Sequence, residues 1–296
     1  MSWDKITEQQ NPVSSDIDEK TTNEILTIIN NQDAVVAKAV QKKIHDIEAF
    51  IDALLPRFKN GGRLFYIGSG TSGRLGVLDA VECPPTYRTD PEMVQGIIAG
   101  GYDALLQSIE GAEDDPEDGS QTIAEHSISD DDIVLGITAS SSTPFVLGAL
   151  EQAKKTGALT GLIICNNSTK LQYVDYIIPI IVGPEVITGS TRMKAGTATK
   201  LVLNMISTTL MIKLNKTYGN LMVDLKASNK KLWDRGARII SHIIGLDHQE
   251  SLKLLQSAKG EVKTAIVMEN KNYTYEEAVR SLNNYRGSLK KALKNC

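Results

Sequence analysis

The stretch that decides the fold reads Leu64-Phe65-Tyr66-Ile67-Gly68-Ser69-Gly70-Thr71-Ser72-Gly73-Arg74. Its first four residues form a short apolar strand, and the glycine-rich segment that follows leads into a sequence that favours a helix. Glycines allow the backbone to approach an anion closely, and the free N–H groups at a helix start favour negative charge there. The stretch therefore predicts a phosphate-binding loop between a strand and a helix.

The kind of phosphate stays open from these residues alone. The spacing of Gly68, Gly70 and Gly73 also fits a dinucleotide fingerprint, but the next predicted strand ends without the acidic residue that would bind a ribose. No Gly-Lys-Ser/Thr follows the glycines, which excludes a Walker A loop. The hydroxyl groups of Thr71 and Ser72 suit a terminal phosphomonoester and favour a sugar-phosphate loop. A nucleotide loop and a purely structural turn are the alternatives.

The composition is that of a mildly acidic enzyme. The 296 residues include 32 Lys and Arg against 36 Asp and Glu, a net charge of −4, so no basic field indicates nucleic acid. The apolar stretches are far shorter than a membrane span, and residues 1–5 contain no apolar signal region. Cys83, Cys165 and Cys296 are scattered and are expected to be reduced thiols. We therefore expect a cytoplasmic protein without nucleic-acid or membrane partners.

Strand and helix signals alternate from Arg63 onward. Strands are predicted at 64–67, 94–99, 133–138, 160–165 and 176–182, with helices at 73–82, 103–109, 120–126 and 144–156 between them. Such alternation is typical of a parallel sheet covered by helices on both faces, and predicts a doubly wound, mainly parallel α/β domain. Ligands bind such sheets beyond the carboxyl ends of the strands, where each loop of interest falls.

Helical segments flank this predicted sheet. A polar arm and helices precede residue 60, and an amphipathic helix over 194–213 follows the last strand. Several short helices then make up a small C-terminal bundle with no visible chemistry. The predicted domains are a sugar-phosphate domain over 1–224, which includes the arm, and a helical bundle over 225–296.

Carboxylates are the candidates for proton transfer, because all four histidines lie outside the strand-end loops. Glu82 precedes Cys83-Pro84-Pro85, where proline is predicted to end the helix that begins at the glycine loop. The helix dipole and burial would favour a protonated Glu82, with an exposed surface glutamate as the alternative. Glu113 lies in the acidic run 110–118, where its neighbours would make it a stronger base; a solvated loop is the alternative. The spacing of these acids is not that of a calcium loop.

Two further loops offer groups that bind anions. Residues 140–143 place four hydroxyl groups before Pro144, which suits the first turn of a helix, although helix capping alone would explain them. The segment 188–194 opens another helix and contains the cations Arg192 and Lys194.

Taken together, these segments resemble the N-acetylmuramic acid 6-phosphate etherases, a family of the sugar isomerase (SIS) domain group. The resemblance spans nearly the whole chain and covers Thr7 to Pro12, Gly68 to Pro85, Ile98 to Gly101, Glu110 to Asp114, Gly189 to Thr197 and Asn220 to Asp224. Glu-Cys-Pro-Pro-Thr after the glycine loop is highly specific. The glucokinase regulatory protein is similar in the glycine and Ser-Thr-Arg-Met-Lys blocks but lacks the context of Glu82.

The resemblance implies cleavage of the D-lactyl ether of N-acetylmuramic acid 6-phosphate, giving N-acetylglucosamine 6-phosphate and D-lactate, without cofactor or metal. It implies Glu82 as the proton donor and Glu113 as the second catalytic carboxylate, which we expect to remove the C2 proton. The expected substrate-binding residues are Ser69, Gly70, Thr71, Ser72, Gly73, Arg74, Ser140, Ser141, Thr143, Ser190, Arg192 and Lys194. The resemblance also implies a homodimer with sites near the subunit boundary and an N-terminal arm that reaches the neighbour.

Two alternatives of the same fold are a sugar phosphate isomerase and a non-catalytic sugar-phosphate sensor. The isomerase needs one base and no lactyl recognition, and the sensor needs neither carboxylate. The presence of both Glu82 and Glu113 favours the etherase.

Two positions depart from the family pattern. Ser141-Ser142 stands where the family often has Gly-Arg, and Gln10 stands where a basic residue is common. The first departure is expected to alter contacts with a carboxylate or phosphate. Neither removes a catalytic carboxylate.

Overall fold

The structure is a computed structural model that describes residues 5–167 and 170–294. The N-terminal residues 1–4 and Cys296, which the sequence analysis considered, lie outside this described part. Within it, the strands are β1 (Leu64–Gly68), β2 (Val94–Ile98), β3 (Ile133–Ile137), β4 (Leu159–Ile164) and β5 (Tyr176–Pro179).

Helices occupy most of the remaining described chain. The N-terminal arm contains short 3-10 turns, and the helices of the α/β region are α1 (Thr22–Asp33), α2 (Val36–Gln41), α3 (Ile44–Lys59), α4 (Gly70–Tyr87), α5 (Asp103–Leu106), α6 (Pro116–Glu125), α7 (Pro144–Lys155) and α8 (Lys194–Lys213). The C-terminal helices are α9 (Lys230–Ile244), α10 (His248–Ser257), α11 (Val262–Lys271), α12 (Tyr275–Asn284) and α13 (Leu289–Lys294).

The five strands form one parallel sheet in the order β2-β1-β3-β4-β5. The chain leaves β1 toward β2 on one side and later returns to place β3 on the other side. In this topology the switch point lies between β1 and β3, and ligands bind beyond the carboxyl ends of the strands there. The predicted doubly wound α/β class is confirmed, and each predicted strand is present.

Alternate residues of β1 point to opposite faces of the sheet. Phe65 and Ile67 belong to a buried cluster with Phe145 and Leu150 of α7. On the other face, the hydroxyl group of Tyr66 donates to Asp79 of α4 over 3.0 Å. Helices therefore cover both faces, as predicted for strands that are fully buried.

Helix α4 lies directly on the backbone of β2. A Cβ built on Gly96 would lie 2.5 Å from Val77 Cα, a distance at which backbone must move. Glycine at this position therefore sets the close approach of the helix to the sheet.

The predicted limits of α4 were wrong at both ends. The helix begins at Gly70 instead of Gly73, so the glycine loop forms its first turn, and it continues through Pro84 and Pro85 to Tyr87. A proline inside a helix removes a backbone hydrogen bond and costs about 3 kcal/mol, but its fixed φ is compatible with helix. The adjacent Cys83 is buried, and this packing helps to offset the cost.

The described chain divides into two compact units. The first comprises the chain up to Val81 together with Pro91–Ile206, and the second comprises Glu82–Asp90 and the chain from Ser207 onward. The second unit has a core of its own, which includes Leu225, Ile240 and Ile266. A C-terminal helical unit is thus present, and the domain boundary at 224/225 stays a prediction.

Two cysteines of the described chain, Cys83 and Cys165, are buried thiols that are not part of a disulfide. Burial, with a smaller contribution from the charge of Glu185, raises the pKa of Cys165 to about 12. Cys165 is therefore protonated and unreactive at neutral pH. No helix in the described ranges combines the length and the apolar character that a membrane span requires.

Candidate active site

The glycine loop, residues 68–74, lies at the switch point of the sheet. Gly68 of β1 is paired with Ile137 of β3, so the loops that follow these two strands begin side by side. The hydroxyl group of Ser69 donates to Glu113 Oε2 over 2.8 Å. This bond places one of the two predicted catalytic carboxylates at the glycine loop.

A cavity of about 280 Å³ opens beside this contact. It is lined by Ser69, Gly70 and Arg74 from the glycine loop and by Glu110 and Glu113 from the acidic run. The guanidinium group of Arg74 donates to the carbonyl oxygen of Gln107 over 3.0 Å, which holds the far wall of the cavity. Arg74 thus lies in the predicted site, but part of its guanidinium group already donates to a backbone carbonyl oxygen.

Thr71, Ser72 and Gly73 form the first turn of α4. A Cβ built on Gly196, in the first turn of α8, would lie 3.4 Å from Thr71 Cγ2. The N-terminal ends of α4 and α8 therefore meet next to the glycine loop. Both helix starts present the positive ends of their dipoles, an arrangement that favours an anion. At the start of α8, the N–H groups of Lys194 and Ala195 already donate to a carboxylate of the same chain.

The hydroxyl loop, residues 138–143, follows β3. Thr138 Oγ1 lies 2.7 Å from Thr143 Oγ1 and 3.2 Å from Ser140 Oγ, and Ser142 Oγ donates to Ser140 Oγ over 3.3 Å. Ser141 at the loop apex has φ +63°, in the left-handed region that favours glycine. The structure thus brings the predicted Ser140, Ser141 and Thr143 together beside the glycine loop.

The loop 188–194 does not present all of its predicted residues to an anion. Ser190 is half-buried and Arg192 is exposed, whereas Lys194 is only 2% exposed. The Lys194 ammonium group donates to Gln32 Oε1 over 2.8 Å and does not line the cavity at Ser69. Burial lowers the pKa of Lys194, against the opposing effect of Glu185 and Asp33.

Glu185 is a buried acid that the sequence analysis missed. Its carboxylate accepts hydrogen bonds from the backbone N–H groups of Lys194 and Ala195, at 3.0 and 2.8 Å. Burial raises the pKa of Glu185, and these N–H bonds act in the opposite direction. Glu185 therefore fixes the start of α8. No local sequence motif indicates this role, because Glu185 lies nine positions before Lys194.

The N-terminal arm is bound to its own chain. Thr7 N–H and Asn166 Oδ1 are 3.3 Å apart, Asn166 donates to Thr7 Oγ1 over 3.0 Å, and Thr7 O accepts from Gly189 N–H. Asn11 donates to the carbonyl oxygen of Pro184 over 3.0 Å. From Lys5 to Ser14 the arm is thus bonded to its own chain's strand-end region, and its reach to a neighbouring copy stays a prediction.

Glu82, the predicted proton donor, is exposed, so the predicted burial of its carboxyl group is wrong for the single chain. Glu82 follows Gly70 by twelve positions in the continuous helix α4, which at 1.5 Å per residue is a rise of about 18 Å. Leu78 and Val81 in the same part of the helix are also exposed, at 52% and 58%.

Much of the acidic run has a structural role. Asp115 caps α6 by accepting hydrogen bonds from the backbone N–H groups of Glu117 and Asp118. Acidic residues in a first turn also favour the helix dipole. This capping, which the sequence analysis missed, explains why the helix begins at Pro116 and not near residue 120. Glu113 precedes the cap and remains exposed at the cavity.

In the described ranges, no three His, Cys, Asp or Glu side chains are grouped in a way that could hold a metal ion. The polar side chains that line the cavity are those of Ser69, Arg74, Glu110 and Glu113, together with Ser108.

Comparisons with known proteins agree with a sugar-phosphate site. The family model described as the N-terminal SIS domain of glucokinase regulatory protein matches residues 46–154. An N-acetylmuramic acid 6-phosphate etherase of Clostridium acetobutylicum is 54% identical over 98% of this chain and 97% of its own length. Etherases of the same name from Geobacillus thermodenitrificans and Caldanaerobacter subterraneus are 48% and 50% identical, over 97% and 98% of this chain and 98% and 95% of their own.

The fold thus defines an α/β protein of the SIS class. Within that class, the chain belongs to the N-acetylmuramic acid 6-phosphate etherase family. The resemblance on which the sequence analysis relied is confirmed.

Proposed function

We propose that this chain cleaves the D-lactyl ether of N-acetylmuramic acid 6-phosphate to N-acetylglucosamine 6-phosphate and D-lactate. The observation that carries the proposal is the position of Glu113, hydrogen-bonded to Ser69 at the mouth of a loop built to hold a phosphate. The full-length similarity to etherases supports the same reaction. Neither an isomerase nor a non-catalytic sensor is favoured by these relatives.

The first half of the reaction is an elimination. With the sugar ring open, the C1 aldehyde acidifies the C2–H bond, and Glu113 removes that proton. The electron pair left on C2 forms a C2=C3 double bond, the C3–O bond breaks, and the departing lactate oxygen takes a proton from an acid. Thr71, Ser72 and the helix starts beside them hold the 6-phosphate, which fixes C2 relative to Glu113.

The second half is the addition of water to the unsaturated aldehyde. Water adds its oxygen to C3, and C2 regains a proton, so the product differs from the substrate by a hydroxyl group in place of the lactyl ether. No electrons are gained or lost in the two halves together. This chemistry requires only a base and an acid.

The acid of the scheme is Glu82, and we propose that a second copy of this chain supplies it. Glu82 lies about 18 Å along α4 from the first turn of this helix, which is formed by the glycine loop. The apolar side chains of Leu78 and Val81, which precede Glu82 in the same part of the helix, are also exposed. A homodimer that covers this part of α4 would bury Glu82 between the two copies.

We also propose that the protein works in the cytoplasm. The buried, reduced thiols of Cys83 and Cys165 suit a reducing compartment, and a phosphorylated amino sugar is a metabolite of the cell interior.

The proposed activity is tested by release of D-lactate from N-acetylmuramic acid 6-phosphate by the purified chain. We expect release with this substrate and a much slower reaction with unphosphorylated N-acetylmuramic acid, because the helix starts then hold no phosphate. Glu113→Gln should lower the rate by about 10²–10⁴ and abolish the exchange of the C2 hydrogen of N-acetylglucosamine 6-phosphate with D₂O.

Glu117→Gln is a matched control, because Glu117 belongs to the same acidic run but lies in the first turn of α6. Its rate should stay close to that of the parent. Absence of lactate release by the parent would refute the activity, and normal C2 exchange by Glu113→Gln would remove Glu113 as the base.

A further inference from the structure

The proposed substrate carries two separate anionic groups, and the glycine loop accounts for one of them. The phosphate is at C6, whereas the carboxylate belongs to the lactyl group at C3. The glycine loop and the hydroxyl loop follow β1 and β3, neighbouring strands whose backbones lie about 4.8 Å apart. The two loops are therefore close enough for one sugar phosphate to contact both.

A cation from the N-terminal arm reaches the hydroxyl loop. The Lys5 ammonium group donates a hydrogen bond to Ser142 Oγ, and Ser142 Oγ in turn donates to Ser140 Oγ over 3.3 Å. Ser142 N–H also points to Ser140 Oγ, at 3.4 Å. An ammonium group next to two serine hydroxyls, both accessible to solvent, is a set of donors that matches the two oxygens of a carboxylate.

The arm holds Lys5 firmly at this place. Thr7, two residues further on, is 1% exposed and is bonded in both directions to Asn166. Asn166 also donates to the carbonyl oxygen of Ala139, within the hydroxyl loop, over 2.9 Å. Because the same amide fixes the arm and the loop, the distance between Lys5 and Ser142 is set by the fold and not by a free terminus.

Two other cations of the predicted site are occupied, whereas Arg192 is exposed. Arg74 donates to the carbonyl oxygens of Leu105 and Gln107, and Lys194 is buried against Gln32. Lys5 supplies a positive charge to the hydroxyl loop through its contact with Ser142.

We propose that Lys5, with Ser140 and Ser142, binds the lactyl carboxylate of the substrate. Lys5 is then a binding residue that distinguishes the lactyl-bearing sugar phosphate from its product, which has a hydroxyl group at C3. This proposal rests on the proposed function for the identity of the ligand, but it predicts a binding preference that can be measured without turnover.

The experiment is a calorimetric titration in the Glu113→Gln background, which prevents turnover. N-Acetylmuramic acid 6-phosphate and N-acetylglucosamine 6-phosphate are each titrated into Glu113→Gln and into the same chain with Lys5→Met. We expect Lys5→Met to weaken binding of the lactyl-bearing ligand by about 10- to 100-fold, the range for a charge-assisted hydrogen bond. Binding of N-acetylglucosamine 6-phosphate should change less than threefold.

Two further variants keep the result interpretable. Lys5→Arg retains the charge and should bind the lactyl-bearing ligand within a few-fold of the parent. Lys20→Met removes an arm lysine that pairs with Asp16 at the surface, and should change neither affinity.

An equal loss for both ligands, or no loss for either, would overturn the role of Lys5, as would failure of the parent background to bind the lactyl-bearing ligand. If the unaltered chain releases no lactate while Lys5→Met still weakens only the lactyl-bearing ligand, the proposed activity falls and the role of Lys5 stands.

Discussion

Ser141 adopts a backbone conformation that L-residues with a side chain rarely adopt. Its φ of +63° lies in the left-handed region, which costs a non-glycine residue roughly 1–2 kcal/mol. We expect Ser141→Gly to remove this strain, and to raise the free energy of unfolding by about 0.5–1 kcal/mol after the extra entropy of an unfolded glycine is subtracted. Urea denaturation of the purified variant measures the change.

Ser142→Gly is the control for this substitution, because Ser142 is not among the positive-φ residues. It should be neutral or destabilising. An equal stability gain in both variants would mean that strain at Ser141 is not the cause. The same φ explains why glycine at this position suits the family pattern noted in the sequence analysis.

Asp132 is a buried carboxylate whose contribution to stability depends on pH. Burial raises its pKa, but hydrogen bonds from the Arg63 side chain and from the backbone of Ser129 and Arg63 lower it more, so the net shift is downward. A pKa that is lower in the folded than in the unfolded state contributes stability above the unfolded value. That contribution is lost as the pH falls through the folded value.

Asp132→Asn should therefore destabilise the protein at pH 7 by about 1–3 kcal/mol and have a smaller effect near pH 3. Denaturation curves at both pH values check this, with the exposed neighbour Asp131→Asn as the control. A loss of the same size at both pH values would show that charge on Asp132 does not matter.

At the scale of elements, the contact between α4 and β2 sets the position of the glycine loop. A Cβ at Gly96 would collide with the Val77 backbone, which no side-chain rotation can relieve. We expect Gly96→Ala to cost about 1–3 kcal/mol of stability, the range for overpacking, and to raise KM because the first turn of α4 shifts. Denaturation and lactate-release kinetics on the same preparation measure both effects, and unchanged stability would contradict the close approach.

The sequence predicted the strands well because buried parallel strands are short, continuous apolar runs. It failed at the ends of α4, where propensity rules place a stop before Pro84 and tertiary packing overrides them. It also missed the start of α6, because the carboxylate of Asp115 was interpreted as part of a charged run and not as a cap.

The residues of the candidate site also differ in whether a local sequence pattern could predict them. The glycine loop could be found because its pattern is local and chemically specific, whereas the role of Glu113 was predicted from the family resemblance. Thr7, Asn166 and Glu185 could not, because their partners lie elsewhere in the chain and no spacing rule links them; Thr7 and Asn166 are 159 positions apart. Lys194 was found but was given a ligand role, whereas burial directs its ammonium group to Gln32.

At the scale of the whole molecule, the position of Glu82 predicts complementation between subunits. If each site combines Glu113 of one copy with Glu82 of another, Glu82→Gln and Glu113→Gln are each inactive alone. After random mixing in a C2 dimer, half of the dimers would be mixed and one of their two sites intact, giving about a quarter of the parent activity. Lactate release after mixing from denaturant and refolding measures this, with each variant refolded alone as control.

Activity no higher than in the separate variants would show that the two carboxylates act from the same copy. A concentration-dependent specific activity of the parent is a second measurement, since dilution separates the copies. A constant specific activity down to low nanomolar protein, together with failed complementation, would remove the second copy from the mechanism.

The link between Thr7 and Asn166 has a consequence for biosynthesis. Thr7 is synthesised well before its partner amide, which is added more than 150 residues later. At about 5–20 residues per second, the arm waits for about 8–30 seconds before it can dock. Throughout this interval a nascent chain holds Lys5 and its neighbours without the contact to Asn166 that later fixes them beside the hydroxyl loop.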